Sequence, residues 1–200
     1  MLRVILLRHG ETSYNAEGNR YCGRTDIGLT EKGIAQAMKV FEALKSVQVD
    51  GVYSSPLQRA RNTAVIASGN RPVITDERLI EADFGLWEGK TKAEFNAENP
   101  ALWTQWMNDP ETARAGGTGE TGGEIVQRVN DFFEELHSRH NGQRVMVVAH
   151  NGINRLYLAS KLGMPLSNYR RLDMENSAVS YFELDDENVL VLKKLNAGSI

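Results

Sequence analysis

Residues 2–10, LRVILLRHG, decide the fold of this chain. The segment 2–7 is short, rich in branched apolar side chains and apolar on both faces. This pattern predicts a strand that is buried in a parallel sheet. The strand ends abruptly in Arg8 and His9, followed by Gly10. Such a polar group directly after a buried strand is a candidate functional site.

Further strands and helices alternate along the chain. The pattern predicts strands at 51–53, 73–75 and 144–149, helices at 30–46, 55–68 and 153–162, and a closing hairpin of 177–184 with 189–195. Capping-box spacing at Thr91 and Thr121 indicates two more helices. The order predicts an α/β fold with a mostly parallel central sheet that is flanked by helices in a three-layer sandwich.

The first long helix has an apolar stripe at 3- and 4-residue spacing, formed by Ile34, Ala37, Met38, Phe41 and Leu44. This stripe is expected to face the core. The next helix is expected to begin at Ser55 and Pro56, a favourable cap and first-turn pair. Arg59 then lies in its first turns.

Polar residues follow three of the predicted strands. In open α/β sheets, ligands bind beyond the carboxyl ends of the strands. We therefore expect Arg8 and His9, the segment 54–59, and His150 with Asn151 to meet in one crevice.

Composition limits the possible functions. The chain has 200 residues, a net charge of −3 and a single cysteine. We expect one domain, residues 1–200, with an inserted lid at about 86–123 where Trp, Pro and Gly accumulate. The lone cysteine suits a reducing compartment, and we expect the cytoplasm. Neither a signal peptide, a membrane span nor a basic nucleic-acid surface is recognisable.

Several catalytic motifs are absent or lack their structural context. No Gly-x-Ser-x-Gly elbow occurs, and Cys22 lacks the arginine that a cysteine phosphatase loop needs. The G-x-G-x-x-G match at 117–122 follows a polar stretch and not a strand, which favours a mobile loop. His137 and His140 near a helix end favour solvated side chains over a zinc site.

The polar blocks together resemble the histidine phosphatase superfamily, which includes phosphoglycerate mutases and many small phosphatases. The blocks that carry the resemblance are Arg8-His9-Gly10-Glu11-Thr12 with Asn15, Gly23-Arg24, Leu29-Thr30-Glu31-Lys32-Gly33, Ser54-Ser55-Pro56 with Arg59-Ala60, Glu81, Gly85 with Trp87-Glu88-Gly89, His150-Asn151-Gly152, and Asn176-Ser177. The resemblance covers nearly the whole chain and implies a phosphoglycerate mutase-like fold.

The resemblance also implies a role for each site residue. His9 would attack phosphorus and form a phosphohistidine. Arg8 and Arg59 would bind the phosphoryl oxygens, and His150 would donate a further hydrogen bond in the transition state. Glu81 would protonate the leaving oxygen and then activate water.

Three more residues are expected to complete the phosphate cradle: Asn15, Gly23 and Asn151. This chemistry needs neither a metal nor another cofactor. The resemblance thus implies a metal-independent phosphomonoesterase that acts on a small phosphorylated metabolite, as a monomer or homodimer.

The main alternative is a phosphoglycerate mutase that depends on 2,3-bisphosphoglycerate. The mutases that the chain resembles carry a tyrosine shortly after the catalytic glutamate and an arginine pair in the lid, whereas this chain has Phe84 and Arg114. These departures favour hydrolysis. A catalytically idle relative that only binds a phosphorylated ligand is a second alternative. Substrate choice is expected to depend on Trp87, Lys92, Trp103, Trp106, Arg114 and Glu120.

Overall fold

The computed structural model describes residues 1–198 and has a six-stranded sheet at its centre. The strands are β1 (Leu2–Arg8), β2 (Gly51–Ser54), β3 (Ile74–Thr75), β4 (Arg144–Ala149), β5 (Val179–Leu184) and β6 (Leu190–Ala197). They lie in the order β3-β2-β4-β1-β5-β6. Strands β1 to β4 are parallel, whereas β5 is antiparallel to both β1 and β6. The predicted mostly parallel sheet and closing hairpin are confirmed.

Helices cover both faces of this sheet. They are α1 (Ser13–Ala16), α2 (Glu31–Leu44), α3 (Gln58–Ala67), α4 (Lys92–Glu98), α5 (Pro100–Asn108), α6 (Gly122–Arg139) and α7 (Asn151–Lys161). Strand β1 shows the layering directly. Its side chains Val4 and Leu6 pack in a cluster with α6 and α7, whereas Ile5 and Leu7 pack in a second cluster with α2 and α3. The predicted three-layer α/β sandwich is thereby confirmed.

The side of α2 that faces the core differs from the predicted one. Ala37 and Leu44 are buried as expected, but Ile34 is 42% exposed and Met38 is 57% exposed. Gly33 explains this rotation, because the loop after β1 packs directly on it. A Cβ atom at Gly33 would lie 2.2 Å from a backbone oxygen of that loop. The close approach turns the neighbouring Ile34 to solvent.

Helix α3 begins at Gln58, later than the predicted start at Ser55 and Pro56. The Ser55 Oγ accepts a hydrogen bond from the Leu57 amide at 3.3 Å, so this serine stabilises the turn that precedes the helix. The first helical amide, that of Gln58, donates to Asp26 Oδ1 at 2.8 Å. A residue distant in sequence therefore caps the helix, and local pattern does not show it.

The segment 86–123 is more regular than its composition indicates. Helix α4 follows the cap at Thr91 as predicted, but α5 was not recognised as a helix from the sequence. The segment packs around an aromatic cluster, which we call the lid cluster. Its buried members are Trp87, Phe95, Trp106 and Ala115, and Tyr21, Phe84, Leu102, Trp103 and Met107 pack against them. Trp106 of α5 is buried in this cluster and Trp103 packs against it, so contacts with other segments stabilise α5.

Parallel pairing places three strand ends side by side. The His9 amide donates to the Ala149 carbonyl at 3.0 Å, and the Ser55 amide donates to the Val148 carbonyl at 3.0 Å. The segments that follow β1, β2 and β4 therefore begin at one edge of the sheet. Within residues 1–198, none of the helices has the length and apolar character needed to cross a bilayer.

Candidate active site

His9 directly follows β1 and is 5% exposed. Its Nδ1 lies 2.7 Å from the carbonyl oxygen of Gly10. A carbonyl oxygen only accepts hydrogen bonds, so this contact requires the proton to be on Nδ1. The lone pair of Nε2 is then free. Gly10 is suited to this turn because a Cβ there would lie 2.5 Å from the Gly33 carbonyl oxygen.

The surroundings of His9 keep its ring neutral. Burial lowers the pKa of His9 well below 6.5, and the positive charges of Arg59 and Arg8 lower it further. A neutral imidazole with a free nitrogen lone pair is a nucleophile near neutral pH. His9 therefore has the neutral ring and free lone pair that a nucleophile needs.

Arg59 is fully buried in α3 and is oriented by backbone oxygens. Its Nη1 donates to the Thr25 carbonyl at 2.7 Å, and its Nη2 donates to the Gly23 carbonyl at 2.6 Å. Two bonds to the rigid guanidinium leave it little freedom to rotate.

Arg8, the last residue of β1, is held in a similar way. Its Nη1 donates to the Met174 carbonyl at 2.7 Å. Burial lowers the pKa of Arg8 to about 10, and the nearby positive charge of Arg155 also lowers it. Arg8 is thus still cationic at neutral pH.

Glu81 contacts the first turn of α7. Its Oε1 accepts from the amides of Ala82 at 2.9 Å and Ile153 at 3.2 Å, and its Oε2 accepts from the Gly152 amide at 3.1 Å. Helix N-termini favour such negatively charged partners. A Cβ at Gly152 would lie 2.6 Å from Glu81 Oε1, so only glycine allows this approach.

His150 caps α7 and is completely buried beside His9. The two ring centroids are 5.1 Å apart at an interplanar angle of 60°. Burial lowers the pKa of His150 well below 6.5, and the charge of Arg59 is the next cause. In the free protein this ring is therefore neutral and has one N–H to donate.

Four buried nitrogen atoms in this region have no hydrogen-bond partner among the described residues. They are Arg8 Nε, Arg59 Nε, and both ring nitrogens of His150. Leaving a buried polar group unpaired costs about 1–3 kcal/mol. A phosphoryl group, which has several acceptor oxygens, matches the donors of this set.

Arg8, His9, Arg59 and Glu81 open into a cavity of about 260 Å³. Its lining includes six of the residues expected from sequence, namely Arg8, His9, Asn15, Arg59, Glu81 and Asn151. His150 and Gly23 do not line it. The remaining lining residues are Asn19, Arg20, Tyr21, Cys22, Phe84, Gly152, Arg155, Tyr169, Arg170 and Asp173.

Comparison with known proteins agrees with this geometry. The family model described as histidine phosphatase superfamily (branch 1) matches residues 4–197. The chain belongs to the histidine phosphatase superfamily. The family covers the strand ends that carry Arg8 and His9, the helix that carries Arg59, and the turn at His150.

Curated histidine phosphatases are similar over nearly the whole chain. Phosphoserine phosphatase 1 of Hydrogenobacter thermophilus is 33% identical over 195 residues, which are 96% of this chain and 92% of that protein. Adenosylcobalamin/alpha-ribazole phosphatase of Escherichia coli is 31% identical and covers 100% of this chain and 98% of its own length. A crystal structure of an Entamoeba histolytica phosphoserine phosphatase mutant with phosphoserine has a TM-score of 0.90 at 28% identity, covering 99% of this chain and 98% of that one.

Two of the expected phosphate-binding residues of this histidine phosphatase also position its catalytic candidates. Asn176 Nδ2 donates to Asn15 Oδ1 at 3.2 Å and to the His9 carbonyl at 3.1 Å, which connects Asn15 to the backbone of His9. Gly23 has a φ of 49° and presents its carbonyl oxygen to Arg59. Asn151 Oδ1 is buried without a partner in the described part of the chain.

None of the lid residues expected to shape substrate choice lines the cavity. Trp87, Trp103 and Trp106 pack in or against the lid cluster, and Lys92 Nζ lies 4.8 Å from the centroid of the Trp103 ring. The other two expected residues, Arg114 and Glu120, are engaged in ion pairs. Arg114 pairs with Glu124 at 3.2 Å, and Glu120 pairs with Arg128 at 3.0 Å.

Sequence reasoning missed two arginines of the cavity. Arg155 lies in α7, and Arg170 lies in the 3-10 helix Leu166–Arg171. Arg155 stands four residues after Asn151, on the same helix face, and this spacing could have identified it. Arg170 has no comparable sequence signal.

Proposed function

We propose that this chain hydrolyses phosphate monoesters of small metabolites through a phosphohistidine at His9. The observation that carries the proposal is the state of that ring. Its Nδ1 is engaged by the Gly10 carbonyl, burial and two arginines lower its pKa, and Nε2 is left as a nucleophile. Relatives that are similar over most of this chain are also named as phosphatases.

In the first step, the Nε2 lone pair of His9 forms a bond to phosphorus. The bond between phosphorus and the ester oxygen breaks, and its electron pair stays on that oxygen. Glu81 transfers a proton to the departing oxygen, so the alcohol leaves neutral. In the second step, water attacks phosphorus and gives a proton to Glu81. The bond from phosphorus to Nε2 then breaks and releases phosphate.

Fixed charge stabilises both transition states in this proposal. Arg8 and Arg59 bind the equatorial phosphoryl oxygens, and His150 donates its N–H. Asn15, Gly23 and Asn151 complete the cradle, Gly23 through its hold on Arg59. Because these groups provide the positive charge, the proposed reaction uses neither a metal nor another cofactor.

The wider setting of the activity is also part of the proposal. Relatives are named for phosphoserine, glucosyl-3-phosphoglycerate and alpha-ribazole phosphate activities, which supports a small phosphorylated metabolite as substrate. We propose one domain, residues 1–200, with the segment 86–123 as an inserted lid beside the site. The single cysteine supports a cytoplasmic location. We propose a monomer or homodimer that contacts neither nucleic acid nor membrane.

The direct test is phosphate release from a panel of metabolite phosphomonoesters in the presence of EDTA. We expect release from at least one ester without added metal. Incubation with 3-phosphoglycerate and a trace of 2,3-bisphosphoglycerate tests the mutase alternative. Formation of 2-phosphoglycerate without phosphate release would overturn the proposal in favour of that mutase.

Two substitutions test the assigned roles. His9→Ala is expected to abolish turnover while the protein remains folded, and normal hydrolysis by this variant would remove His9 as the nucleophile. His137→Ala, a histidine of α6 outside the cavity, is the matched control. Glu81→Gln is expected to slow alkyl phosphates far more than p-nitrophenyl phosphate, whose leaving group needs no proton. Equal slowing would argue against a general acid.

A further inference from the structure

Arg155 and Arg170 line the same cavity as His9, yet the proposed hydrolysis does not use them. Arg155 is half-buried, and Arg170 is exposed to solvent in the unbound protein. The third additional arginine of the lining, Arg20, pairs with Glu94 at 2.7 Å. Within residues 1–198, no carboxylate oxygen lies within 4.0 Å of a guanidinium nitrogen of Arg155 or Arg170, the distance that defines an ion pair. These two cations are thus available to an anion that enters the cavity.

Aromatic rings hold the two guanidinium groups in place. The guanidinium carbon of Arg155 lies 5.2 Å from the centroid of the Tyr169 ring. That of Arg170 lies 5.2 Å from the Trp103 centroid and 5.9 Å from the Tyr169 centroid. A guanidinium that rests on a ring uses its face and keeps its in-plane N–H groups for hydrogen bonds.

Few of those N–H groups are used within the protein. Arg170 Nη1 donates to Tyr21 Oη at 3.3 Å, and Arg155 Nε donates to the Asn151 carbonyl at 3.2 Å. Tyr169 is a further side-chain hydrogen-bond partner of Arg170. The two guanidinium groups make no other hydrogen bond within residues 1–198. A planar anion with two oxygens can be bound by such donors in a bidentate geometry.

The electrostatics connect this pair with the phosphoryl site. Burial lowers the pKa of Arg155, and the charge of Arg170 lowers it further. Arg155 in turn is the second cause, after burial, of the lowered pKa of Arg8. The positive charges of the two sites therefore repel one another. A single ligand with an anionic group at each site would relieve this repulsion.

We propose that Arg155 and Arg170 bind a carboxylate of the substrate while Arg8 and Arg59 bind its phosphoryl group. The inference rests on the proposed function and narrows its substrates to phosphate monoesters of small carboxylic acids. A carboxylate fits better than a second phosphate for two reasons. Its two oxygens match the edge of a guanidinium group. Asp173 also lines the cavity, and its negative charge repels a second phosphate more strongly than a carboxylate.

The test uses two pairs of esters that differ in the carboxylate. One pair is 3-phosphoglycerate and glycerol 3-phosphate, and the other is O-phosphoserine and O-phosphoethanolamine. The measured quantity is the selectivity ratio, the kcat/KM of the carboxylate ester divided by that of its partner. Hydrogen bonds to charged groups predict a ratio of about 10 to 100. A ratio near one for both pairs would overturn the inference.

Substitutions assign the ratio to the two arginines. Arg155→Gln and Arg170→Gln are each expected to lower the ratio about tenfold, mainly through a higher KM for the carboxylate ester. Arg155→Lys, which keeps the charge but loses the planar donor set, should recover part of it. Arg114→Gln is the matched control, because Arg114 pairs with Glu124 outside the cavity. An unchanged ratio in both glutamine variants would overturn the inference.

Failure of this inference can be distinguished from failure of the proposed function. Hydrolysis of all four esters without preference leaves the phosphatase intact and removes the carboxylate site. A preference for fructose 1,6-bisphosphate over both carboxylate esters would also remove it. If no ester and no p-nitrophenyl phosphate were hydrolysed, the proposed function would fail. Calorimetric affinities of His9→Ala for the same ester pairs would then still measure the selectivity of binding without turnover.

Discussion

Two pairs of arginines enter one cavity, and the protein holds them in different ways. Arg8 and Arg59 donate to backbone carbonyl oxygens, with three bonds of 2.6 to 2.7 Å between them. Arg155 and Arg170 lie against aromatic rings, at 5.2 to 5.9 Å from the ring centroids, and their hydrogen bonds to Asn151 and Tyr21 are longer, at 3.2 and 3.3 Å. The first pair lies beside the proposed nucleophile, and the second lies where the rest of a substrate would bind.

The two kinds of support have different consequences. A backbone carbonyl keeps its position whatever its own side chain is, and it fixes both the direction and the distance of its donor. This precision suits groups that stabilise a transition state. A ring face permits some rotation of the guanidinium and can be removed by a single substitution. The second pair can therefore adjust its orientation to different substrates, while the first pair keeps the geometry that the proposed reaction needs.

Among changes to the two arginine pairs and their surroundings, the largest effect is expected from Arg59→Lys. The single ammonium group cannot reach both the Thr25 and Gly23 carbonyls and the phosphoryl group, so transition-state stabilisation is lost. We expect kcat/KM to fall about 10²- to 10³-fold for every ester alike. Steady-state kinetics on the four esters would measure it, with the exposed Arg61→Lys as control. A loss confined to carboxylate esters would show that the two pairs do not have separate roles.

The next effect is expected from Gly152→Ala, which tests the site around the first pair. The added Cβ would lie 2.6 Å from Glu81 Oε1 and push the carboxylate away from the α7 N-terminus. We expect alkyl esters to slow about 10²-fold and p-nitrophenyl phosphate to slow less. Gly28→Ala is the control, since its Cβ would meet only the flexible Gln58 side chain at 3.2 Å. Equal rates for Gly152→Ala and the native protein would contradict the role of Glu81.

A smaller effect is expected on the pH dependence of stability. The pKa values of His9 and His150 lie well below 6.5 in the folded protein, through burial and then Arg59. Below pH 6.5 the unfolded chain therefore binds more protons, so the free energy of unfolding falls as the pH falls. The slope is at most about 1.4 kcal/mol per pH unit for each histidine.

Urea titrations between pH 7 and pH 5 would measure this slope. His150→Asn should make it shallower, whereas Arg170→Gln should leave it unchanged because Arg170 is not among the charges that act on either histidine. Stability that rises as the pH falls over this range would contradict the prediction.

The smallest effect is expected from Trp103→Leu, which removes one ring beneath Arg170. A cation–π contact at such a site is worth about 0.5–1 kcal/mol, so the selectivity ratio should fall about two- to fivefold. Trp103→Tyr keeps an aromatic face and should retain most of the ratio. A loss as large as that of Arg170→Gln would mean that the ring positions the whole site and not one guanidinium.

The local sequence was sufficient to predict the strands and the residues closest to the proposed nucleophile. The buried run 2–7 and the polar residues after it are contiguous, so their pattern already predicts a strand that ends at a site. The sheet then brings Arg8, His9, Arg59 and Glu81 to one cavity, as the order of strands and helices requires. Their catalytic roles are predictions that the variants above test.

Other features depend on contacts between distant segments. The rotation of α2 follows from the loop that packs on Gly33, and the start of α3 follows from a cap by Asp26. Helix α5 is stabilised by packing of the lid cluster, since its own apolar period is weak. In each case the deciding partner is far away in sequence, where periodicity contains no information.

The sequence alone therefore determined the α/β fold and the residues around His9 whose motifs resemble those of the family. The reason is that strand ends and motifs are properties of neighbouring residues. Only the tertiary structure decided which further cations share the cavity. Arg114 looked available and is paired elsewhere, whereas Arg155 and Arg170 enter from α7 and the segment after it. The physical reason is that pairing and burial of a charge depend on which elements pack together, and no local pattern encodes that packing.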